Sequence, residues 1–347
     1  MASQNNGRHS NGRGFPVDVQ PELIFNTYWG FAGTQALAVA VELDLFSAIN
    51  ANFTTVEKIS RQWNLPLRPL RMLLDALVGL GLLNKSKISY KLTPEAKTYL
   101  VKGSPHYLGS VLTLDEKHLG TWMKLKEVAR TGRPLPPPDG DPRKTAHFAE
   151  LARYIFPTSY AAAVVIAKKL GVGKSLKGLK ILDVACGSGA WSIALNLADP
   201  ASQVTAQDLP EVLDVTRQYV KRFRLENQYR YLPGDLLTLD FGRSQYDMIV
   251  LGHVCHALGD AESRRLIKKS YDALRPGGRL LIGDWIPNDL RTGDKVSLLF
   301  ALQMLLDTPQ GDVFTAKEFK RWLGLAGFKK VGALKAVYPT TVVTAIK

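Results

Sequence analysis

Cysteine is scarce in this chain of 347 residues, and long hydrophobic runs are absent. The two cysteines, Cys186 and Cys255, are too few for a disulfide framework and form no Cys-x-x-Cys pair, which is typical of a reducing compartment. The apolar stretch of residues 298–306 is broken by Gln303 and is far shorter than the roughly 18 residues that span a membrane. Residues 1–14 are polar, so we expect a disordered tail there and no secretion signal. These features predict a soluble, cytoplasmic protein.

Acidic side chains are also in the minority. The chain has 45 Lys and Arg residues against 31 Asp and Glu residues, a formal net charge of +14. Such an excess suggests an anionic partner such as nucleic acid. Residues 1–150 carry 18 basic against 13 acidic residues and the remainder 27 against 18, so the excess is not collected in one basic arm. The apolar fraction of 46% is enough for a core in each of two domains.

Residues 15–110 have the pattern of a winged-helix module. Thr54 and Glu57 stand three apart ahead of an apolar run, the signature of a capping box that opens a short helix. Leucines then repeat at helical spacing up to Gly79, and residues 82–92 alternate as in a two-stranded wing. Helix, turn, helix and wing together predict a winged helix.

The remainder divides into a helical region and an α/β region. Residues 111–170 have helical spacing, with a proline-rich linker at Pro134–Pro138. From about residue 171 onward, short apolar strands alternate with helices, which predicts a parallel, doubly wound sheet. The strands are expected near residues 181–184, 203–206, 246–251 and 279–283. The predicted fold class is α/β, with a Rossmann-like domain at 171–347 behind an all-helical, winged-helix domain.

The segment Asp183-Val-Ala-Cys-Gly187-Ser-Gly189 follows the first of these strands and is the strongest functional signal. Glycines at a strand-to-helix turn let the backbone approach a ligand, and the helix N-terminus offers free N–H groups. Ser192 stands where a dinucleotide fingerprint has its third glycine, and a carboxylate beside the loop would repel a pyrophosphate. Asp208 ends the next strand, where an acid can bind both ribose hydroxyls. The pattern favours S-adenosylmethionine (SAM) over NAD or FAD.

From Gly30 to Phe328 the sequence resembles the class I SAM-dependent methyltransferases of the caffeic-acid O-methyltransferase type. Besides the glycine loop, the matching segments are Gln207–Pro210, Pro233–Leu236, His256, Arg275–Gly278 and Phe314–Phe319. The resemblance implies a winged-helix domain for homodimerisation, a Rossmann-like domain that binds SAM, and a small-molecule acceptor used in secondary metabolism. It implies neither a nucleic-acid nor a membrane partner.

The same resemblance assigns residues to the site. Those implied for SAM are Asp183 beside the loop, Gly187 and Gly189 at the methionine part, Asp208 and Leu209 at the ribose, and Asp235 and Leu236 at the adenine. His256, just after the fourth strand, would be the general base that takes the proton of the acceptor. Asp284 would flank this histidine as one of two acids that the family normally places there.

The surroundings of His256 depart from the family pattern. Residues 257 and 258 are apolar where the family usually has Asp-Trp, and Val313 stands where the second acid is expected. Asp312 is adjacent and is a candidate substitute. O-methylation of an acidic phenol or enol would need little base strength, and we favour it mainly because it predominates in the family that the sequence resembles. C-methylation of an enolisable 2-oxo acid or a ring carbon is the alternative.

The acceptor pocket is expected to be apolar and suited to a flat molecule. The candidate lining residues are Met304, which corresponds to a methionine that clamps the acceptor in plant relatives, together with Trp285, Phe156 and Tyr160. The last two belong to the helical region 111–170. His253 and His256 stand three apart, but no third ligand with recognisable spacing follows, so we predict no metal site.

Two further function classes remain as alternatives. A winged helix in a basic protein is typical of DNA-binding regulators, and Arg68 and Arg71 lie on its second helix. Leucines dominate that helix, however, and a buried dimer face explains them better. The other alternative is a SAM-binding protein that has lost catalysis.

Overall fold

The computed structural model describes residues 19–104, 106–112, 116–135 and 146–347. The predicted tail at residues 1–14 and most of the proline-rich linker therefore lie outside the described residues. Two compact units make up the chain, with the division between Lys102 and Gly103. No helix in the described part of the chain is long and apolar enough to cross a membrane.

The first unit contains the helix, turn, helix and wing that the sequence predicts. Its described elements are α1 (Glu22–Tyr28), α2 (Gly30–Glu42), α3 (Leu45–Asn50), α4 (Val56–Trp63), α5 (Leu67–Gly79), β1 (Leu83–Ser86), β2 (Ser89–Leu92) and α6 (Pro94–Tyr99). The wing is antiparallel, with Leu83 opposite Leu92. Thr55, not Thr54, caps α4, because its side chain accepts the N–H of Lys58. The cap thus lies one residue later than predicted.

The leucines of α5 form the core of this unit. Leu70, Leu74 and Leu77 are buried within a single copy of the unit. The expectation that these leucines form a dimer face is therefore wrong for these three residues, because they recur at i, i+4 and i+7 and turn toward the other helices of their own unit. Arg71 on the opposite face is exposed and pairs with Asp75 at 2.9 Å.

The second unit begins with helices and continues as alternating strands and helices. Its helices are α7 (Glu116–Met123), α8 (Leu125–Thr131), α9 (Ala146–Leu170), α10 (Ala190–Ala198), α11 (Pro210–Arg222), α12 (Cys255–Ala273), α13 (Lys295–Asp307) and α14 (Ala316–Ala326), with 3-10 turns at Gly109–Val111 and Glu226–Gln228. Its strands are β3 (Lys180–Val184), β4 (Gln203–Asp208), β5 (Tyr229–Pro233), β6 (Tyr246–Gly252), β7 (Leu274–Asp284), β8 (Lys329–Lys335) and β9 (Thr341–Ile346).

These strands form one seven-stranded sheet in the order β5-β4-β3-β6-β7-β9-β8. The pairs from β5 through β7 are parallel, and β9 runs antiparallel to both β7 and β8. The strand order reverses between β3 and β6, and in open α/β sheets ligands bind at the carboxyl ends of the strands beside such a point. The predicted Rossmann-like α/β class is confirmed.

Candidate active site

The predicted site residues come from the carboxyl ends of three neighbouring strands. Strand β6 lies between β3 and β7, with Leu251 opposite Val184 and Gly252 opposite Gly283. The glycine loop follows β3, His256 follows β6 after a short connection, and Asp284 ends β7. Because parallel strands end at the same edge, the glycine loop becomes a neighbour of His256 and Asp284, which follow it by about 70 and 100 residues in the sequence.

His256 is held by Asp284 through two hydrogen bonds. Its ring atom Nδ1 lies 2.7 Å from Asp284 Oδ1, and its backbone N–H donates to Oδ2 at 3.2 Å. Burial would raise the pKa of Asp284, but the electrostatic interaction and hydrogen bond with His256, together with the N–H of Trp285, outweigh it and lower this pKa below its usual value. The carboxylate is therefore ionised and accepts, so Nδ1 carries the ring proton. This tautomer leaves Nε2 as a proton acceptor.

Aromatic side chains pack against the imidazole. Phe300 meets His256 edge-to-face at a centroid distance of 4.9 Å. Trp285, which follows Asp284, lies 4.2 Å from the Phe300 ring. Met304 is one helical turn beyond Phe300 on α13 and is buried. Of the predicted pocket residues, the structure packs Trp285 against Phe300, which contacts the candidate base, and places Met304 on the helix that supplies Phe300.

The position of the missing second acid is apolar and buried. Val313 is 1% exposed. Asp312 does not substitute for it, because its carboxylate accepts the N–H of Val313 at 2.7 Å and pairs with Arg291 at 3.5 Å. What Asp312 offers His256 is its backbone, whose N–H donates to the carbonyl of His256 at 2.9 Å.

The glycine loop has the backbone geometry that a ligand cradle requires. Gly187 and Gly189 have φ values of 57° and 73°, in the left-handed region that a side chain disfavours. Gly189 is also the N-cap of α10. Asp183 lies beneath the loop, where it accepts the hydroxyl of Ser192 at 2.6 Å and the N–H of the same residue at 3.2 Å. Burial raises the pKa of Asp183 to about 7.

Asp208, the other acid of the predicted cofactor site, accepts hydrogen bonds from two backbone N–H groups. Asp208 accepts the N–H of Gly187 through Oδ2 at 2.8 Å and the N–H of Leu209 through Oδ1 at 2.8 Å. Burial raises the pKa of Asp208 despite these two bonds. Asp235 is exposed in the turn after β5 and caps that turn, whereas Leu236 is half-buried. All of these residues lie at the carboxyl edge of β3, β4 and β5, which fits an extended nucleoside ligand.

Phe156 and Tyr160 have a different environment from Trp285. Phe156 stacks on Tyr219 of α11 at 4.2 Å, and Tyr160 stacks on Phe223 at 5.7 Å. Both rings also pack against the apolar core beside β3 and β4. Their ring contacts thus join α9 to α11 rather than meeting His256, and packing between these helices accounts for them.

His253 completes a group of three ionisable side chains. One ligand atom from each of His253, His256 and Asp284 lies within 4.8 Å of the others. Burial lowers the pKa of His253 to about 4, so its ring is neutral near pH 7. Sequence spacing did not reveal Asp284 as the third member of this group, because Asp284 ends β7 whereas the two histidines follow β6. The hydrogen bond between Asp284 and His256 makes these two side chains a candidate proton-transfer pair.

Two family models match the chain, an O-methyltransferase domain at residues 144–329 and an O-methyltransferase dimerisation domain at residues 25–102. The chain belongs to the O-methyltransferase family. The predictions of a class I SAM-dependent methyltransferase, and of SAM as its cofactor, are confirmed.

Characterised relatives match this O-methyltransferase along nearly its whole length. The tetracenomycin polyketide synthesis 8-O-methyl transferase TcmO of Streptomyces glaucescens is 32% identical, with 92% of this chain and 95% of the relative covered. The 3-hydroxy-5-methyl-1-naphthoate 3-O-methyltransferase of Streptomyces sahachiroi is 27% identical, with 93% and 94% covered. A crystal structure from Nostoc punctiforme, described as an O-methyltransferase, has a TM-score of 0.83 at 25% identity and covers 95% of this chain and 100% of that one.

Several residues that shape this O-methyltransferase site were missed at the level of sequence. Phe300 lies one helical turn before Met304, and this i, i+4 spacing was a usable signal. Gln207 binds backbone groups of two loops, and its signal was a polar residue among apolar ones in a strand. Arg291 carried no local signal, because its partners Asp312 and Glu318 come from a later part of the chain.

Proposed function

We propose that this O-methyltransferase transfers the methyl group of SAM to a hydroxyl of a small, flat aromatic acceptor, with His256 as the general base. The observation that carries the proposal is the ionised carboxylate of Asp284 on Nδ1 of His256, which leaves Nε2 to accept a proton beside aromatic rings. This arrangement is the usual one for an activated oxygen nucleophile.

The cofactor brings a methyl group already bound to a good leaving group, so the protein mainly has to hold acceptor and methyl in line. In the proposed mechanism Nε2 of His256 takes the proton of the acceptor hydroxyl while the hydroxyl oxygen attacks the methyl carbon. The carbon–sulfur bond breaks, and S-adenosylhomocysteine is released. The charge that develops on the imidazole is stabilised by Asp284, and the proton then passes to solvent.

We assign SAM to the edge formed by the glycine loop and the ends of β4 and β5. Gly187 and Gly189 let the backbone approach the methionine part, and Asp183 lies beneath the loop, where its ionised form, which prevails above a pKa of about 7, suits a cationic ligand. We assign Asp208 and the adjacent Leu209 to the ribose. Asp235 and Leu236 follow β5 at the same edge of the sheet, and we assign them to the adenine.

An aromatic acceptor is supported by the side chains around His256. Trp285 and Phe300 offer ring faces, and Met304 adds a flexible apolar side chain from the same helix as Phe300. The names of two relatives describe those proteins as methylating a hydroxyl in polyketide synthesis and a hydroxyl of a naphthoate. Methylation of an acidic hydroxyl on a flat ring system needs little base strength. The one carboxylate that flanks His256 among the described residues is enough for such a base.

We further propose that the enzyme is a homodimer through its first unit. Helix α1 has no buried residue, and six apolar side chains of α1 and the start of α2 are more than half exposed: Leu23, Ile24, Phe25, Tyr28, Trp29 and Phe31. We call these six the aromatic face. An exposed apolar patch of this kind is typical of an interaction surface, and the dimerisation model covers residues 25–102.

His256→Gln tests the proposed base. With SAM and a set of naphthols and hydroxynaphthoates, the wild-type enzyme should form S-adenosylhomocysteine and one O-methylated product. The variant should be slower by roughly 10²–10⁴-fold, the usual contribution of a general base. Calorimetric binding of S-adenosylhomocysteine should be unchanged, because His256 is not assigned to the cofactor. A product methylated on carbon, or a rate loss below about threefold, would contradict the proposal.

A further inference from the structure

Gln207 is a buried amide in the middle of the parallel sheet. It is the penultimate residue of β4, is 1% exposed and precedes Asp208. The other two buried residues of this strand, Val204 and Ala206, are apolar. A buried amide is unfavourable unless its donor and acceptor atoms are paired, so the partners of Gln207 indicate why it is there.

The two ends of the amide bind the backbone of two different loops. Its Oε1 accepts the N–H of Ala185 at 3.2 Å, and its Nε2 donates to the carbonyl of Gly234 at 2.7 Å. Ala185 lies in the loop after β3, and Gly234 lies in the turn after β5. Strands β3 and β5 are on opposite sides of β4, so the side chain of Gln207 links two loops that share no strand pairing.

The linked residue of each loop has a positive φ, which is strained for Ala185 but not for a glycine. Ala185 has a φ of 51°, which is strained for a residue with a side chain, and Gly234 has a φ of 146°. Backbone atoms of the same strand contribute further bonds, from Cys186 N–H to the carbonyl of Gln207 and from Gly234 N–H to the carbonyl of Asp208, both at 3.0 Å. The end of β4 therefore holds both loops through hydrogen bonds, and Gln207 supplies two of them from its side chain.

We infer that Gln207 is a positioning residue for SAM, which holds the glycine loop and the turn at Gly234 in the arrangement that binds a ligand spanning both. The inference rests on the proposed function, in which the first loop binds the methionine part and the second the adenine. Without the amide, each loop samples additional conformations in the free protein. The apparent affinity for a spanning ligand then falls by the fraction of molecules that have both loops in place.

Two variants separate the two ends of the amide. Gln207→Met has a similar length and loses both hydrogen bonds. Gln207→Glu keeps an acceptor for the N–H of Ala185 but places an oxygen against the carbonyl of Gly234, where a donor is needed. Gln203→Met is the matched control, because Gln203 begins the same strand and is exposed.

The readouts compare a spanning ligand with a fragment. Gln207→Met should weaken calorimetric binding of S-adenosylhomocysteine by about 10- to 100-fold and raise KM for SAM similarly, with kcat changed less than about threefold. 5′-Methylthioadenosine keeps the adenine but lacks the amino-acid part, so its affinity should also fall, but by a clearly smaller factor than that for S-adenosylhomocysteine. Gln207→Glu should lose at least as much affinity for S-adenosylhomocysteine, and Gln203→Met should behave as wild type. Thermal melting shows which variants are folded.

Two results would overturn the inference. One is an S-adenosylhomocysteine affinity of a folded Gln207 variant within about threefold of Gln203→Met. The other is a loss confined to one loop: an equal loss for both ligands would mean that Gln207 supports the turn at Gly234 alone, and an unchanged affinity for 5′-methylthioadenosine would mean that it supports the glycine loop alone. Failure of the wild-type protein to bind S-adenosylhomocysteine would instead contradict the proposed cofactor site. Binding that is weakened by Asp208→Ala but not by the Gln207 variants would leave that site intact and remove only the positioning role.

Discussion

At the residue scale, the site depends on two buried carboxylates, Asp284 and Asp183, whose surroundings shift their pKa values in opposite directions. Asp284 is buried beside His256, and the interaction with the imidazole lowers its pKa. Asp183 is equally buried, and its hydrogen-bond donors among the described residues are the hydroxyl and N–H of Ser192, so burial raises its pKa to about 7. One acid is therefore a permanent anion that orients a base, and the other changes its charge near neutral pH.

The raised pKa of Asp183 predicts a pH dependence of stability. The folded value of about 7 lies above the unfolded value of roughly 3.9, so the folded state binds this proton more tightly. Its contribution to stability is complete below pH 4 and is lost as the pH rises through 7. Relative to Asp183→Asn, which keeps an acceptor for Ser192, the wild-type protein should lose roughly 1–4 kcal/mol between pH 4 and pH 8.

Parallel thermal melts of the two proteins at pH 5 and pH 8 measure this difference. The isosteric variant serves as the control, since the other titrating groups are common to both proteins and cancel. A melting-temperature difference that is the same at both pH values would show that Asp183 does not titrate in this range.

At the element scale, the ends of β6 and β7 are shaped around one side chain of α10. Trp191 is buried, and a Cβ on Gly283 would lie only 2.5 Å from Cζ2 of its indole. A Cβ on Gly252 would meet the other edge of the same ring. The two strands whose ends lead to His256 and Asp284 thus carry glycine because a large ring fills the space beside them.

Gly283→Ala should therefore destabilise the protein by about 1–3 kcal/mol through overpacking. The loss should be smaller when Trp191→Leu is already present, because the indole is then absent, and a double-mutant cycle of unfolding free energies measures that coupling. Gly324→Ala is the control. It lies on α14 with no atom near its Cβ position, so it should be neutral or stabilise by up to about 1 kcal/mol. Equal costs of Gly283→Ala in both backgrounds would mean that the ring is not the cause.

At the scale of the whole molecule, the first unit exposes more apolar side chains than one copy can cover. The aromatic face includes a stacked pair, Trp29 and Phe31, at a centroid distance of 6.3 Å, with Tyr28 edge-on to both. Rings ordered against one another but open to water are typical of a surface that a second copy covers. The buried leucines of α5, in contrast, belong to the core of a single copy.

The double substitution Trp29→Glu with Phe31→Glu should convert the proposed dimer to a monomer. Burying two carboxylates in an apolar interface is strongly unfavourable, so dissociation should be complete at micromolar protein. Light scattering coupled to size-exclusion chromatography measures the mass. Leu290→Glu, at an exposed apolar position of the second unit, should remain dimeric. A double variant that keeps the mass of the wild-type protein would place the interface elsewhere.

The sequence by itself determined the order of elements and the family. Periodicity is local, so the winged-helix pattern, the alternation of strands and helices, and the glycine loop were all readable along the chain. His256 and Asp284 could be named from the family resemblance, because each ends or follows a strand that could be matched to it. The place of Thr55 as the cap of α4 was missed by one residue, since both threonines satisfy the same local rule.

Only the tertiary structure decided which of these side chains meet. The neighbouring order of β3, β6 and β7 brings Asp284 to Nδ1 of His256, and the pairing of Asp312 with Arg291 removes it as a second acid. The link made by Gln207 also depends on β4 lying between β3 and β5. These contacts join residues far apart in the chain, and strand order in space, which fixes them, is not encoded in any local pattern.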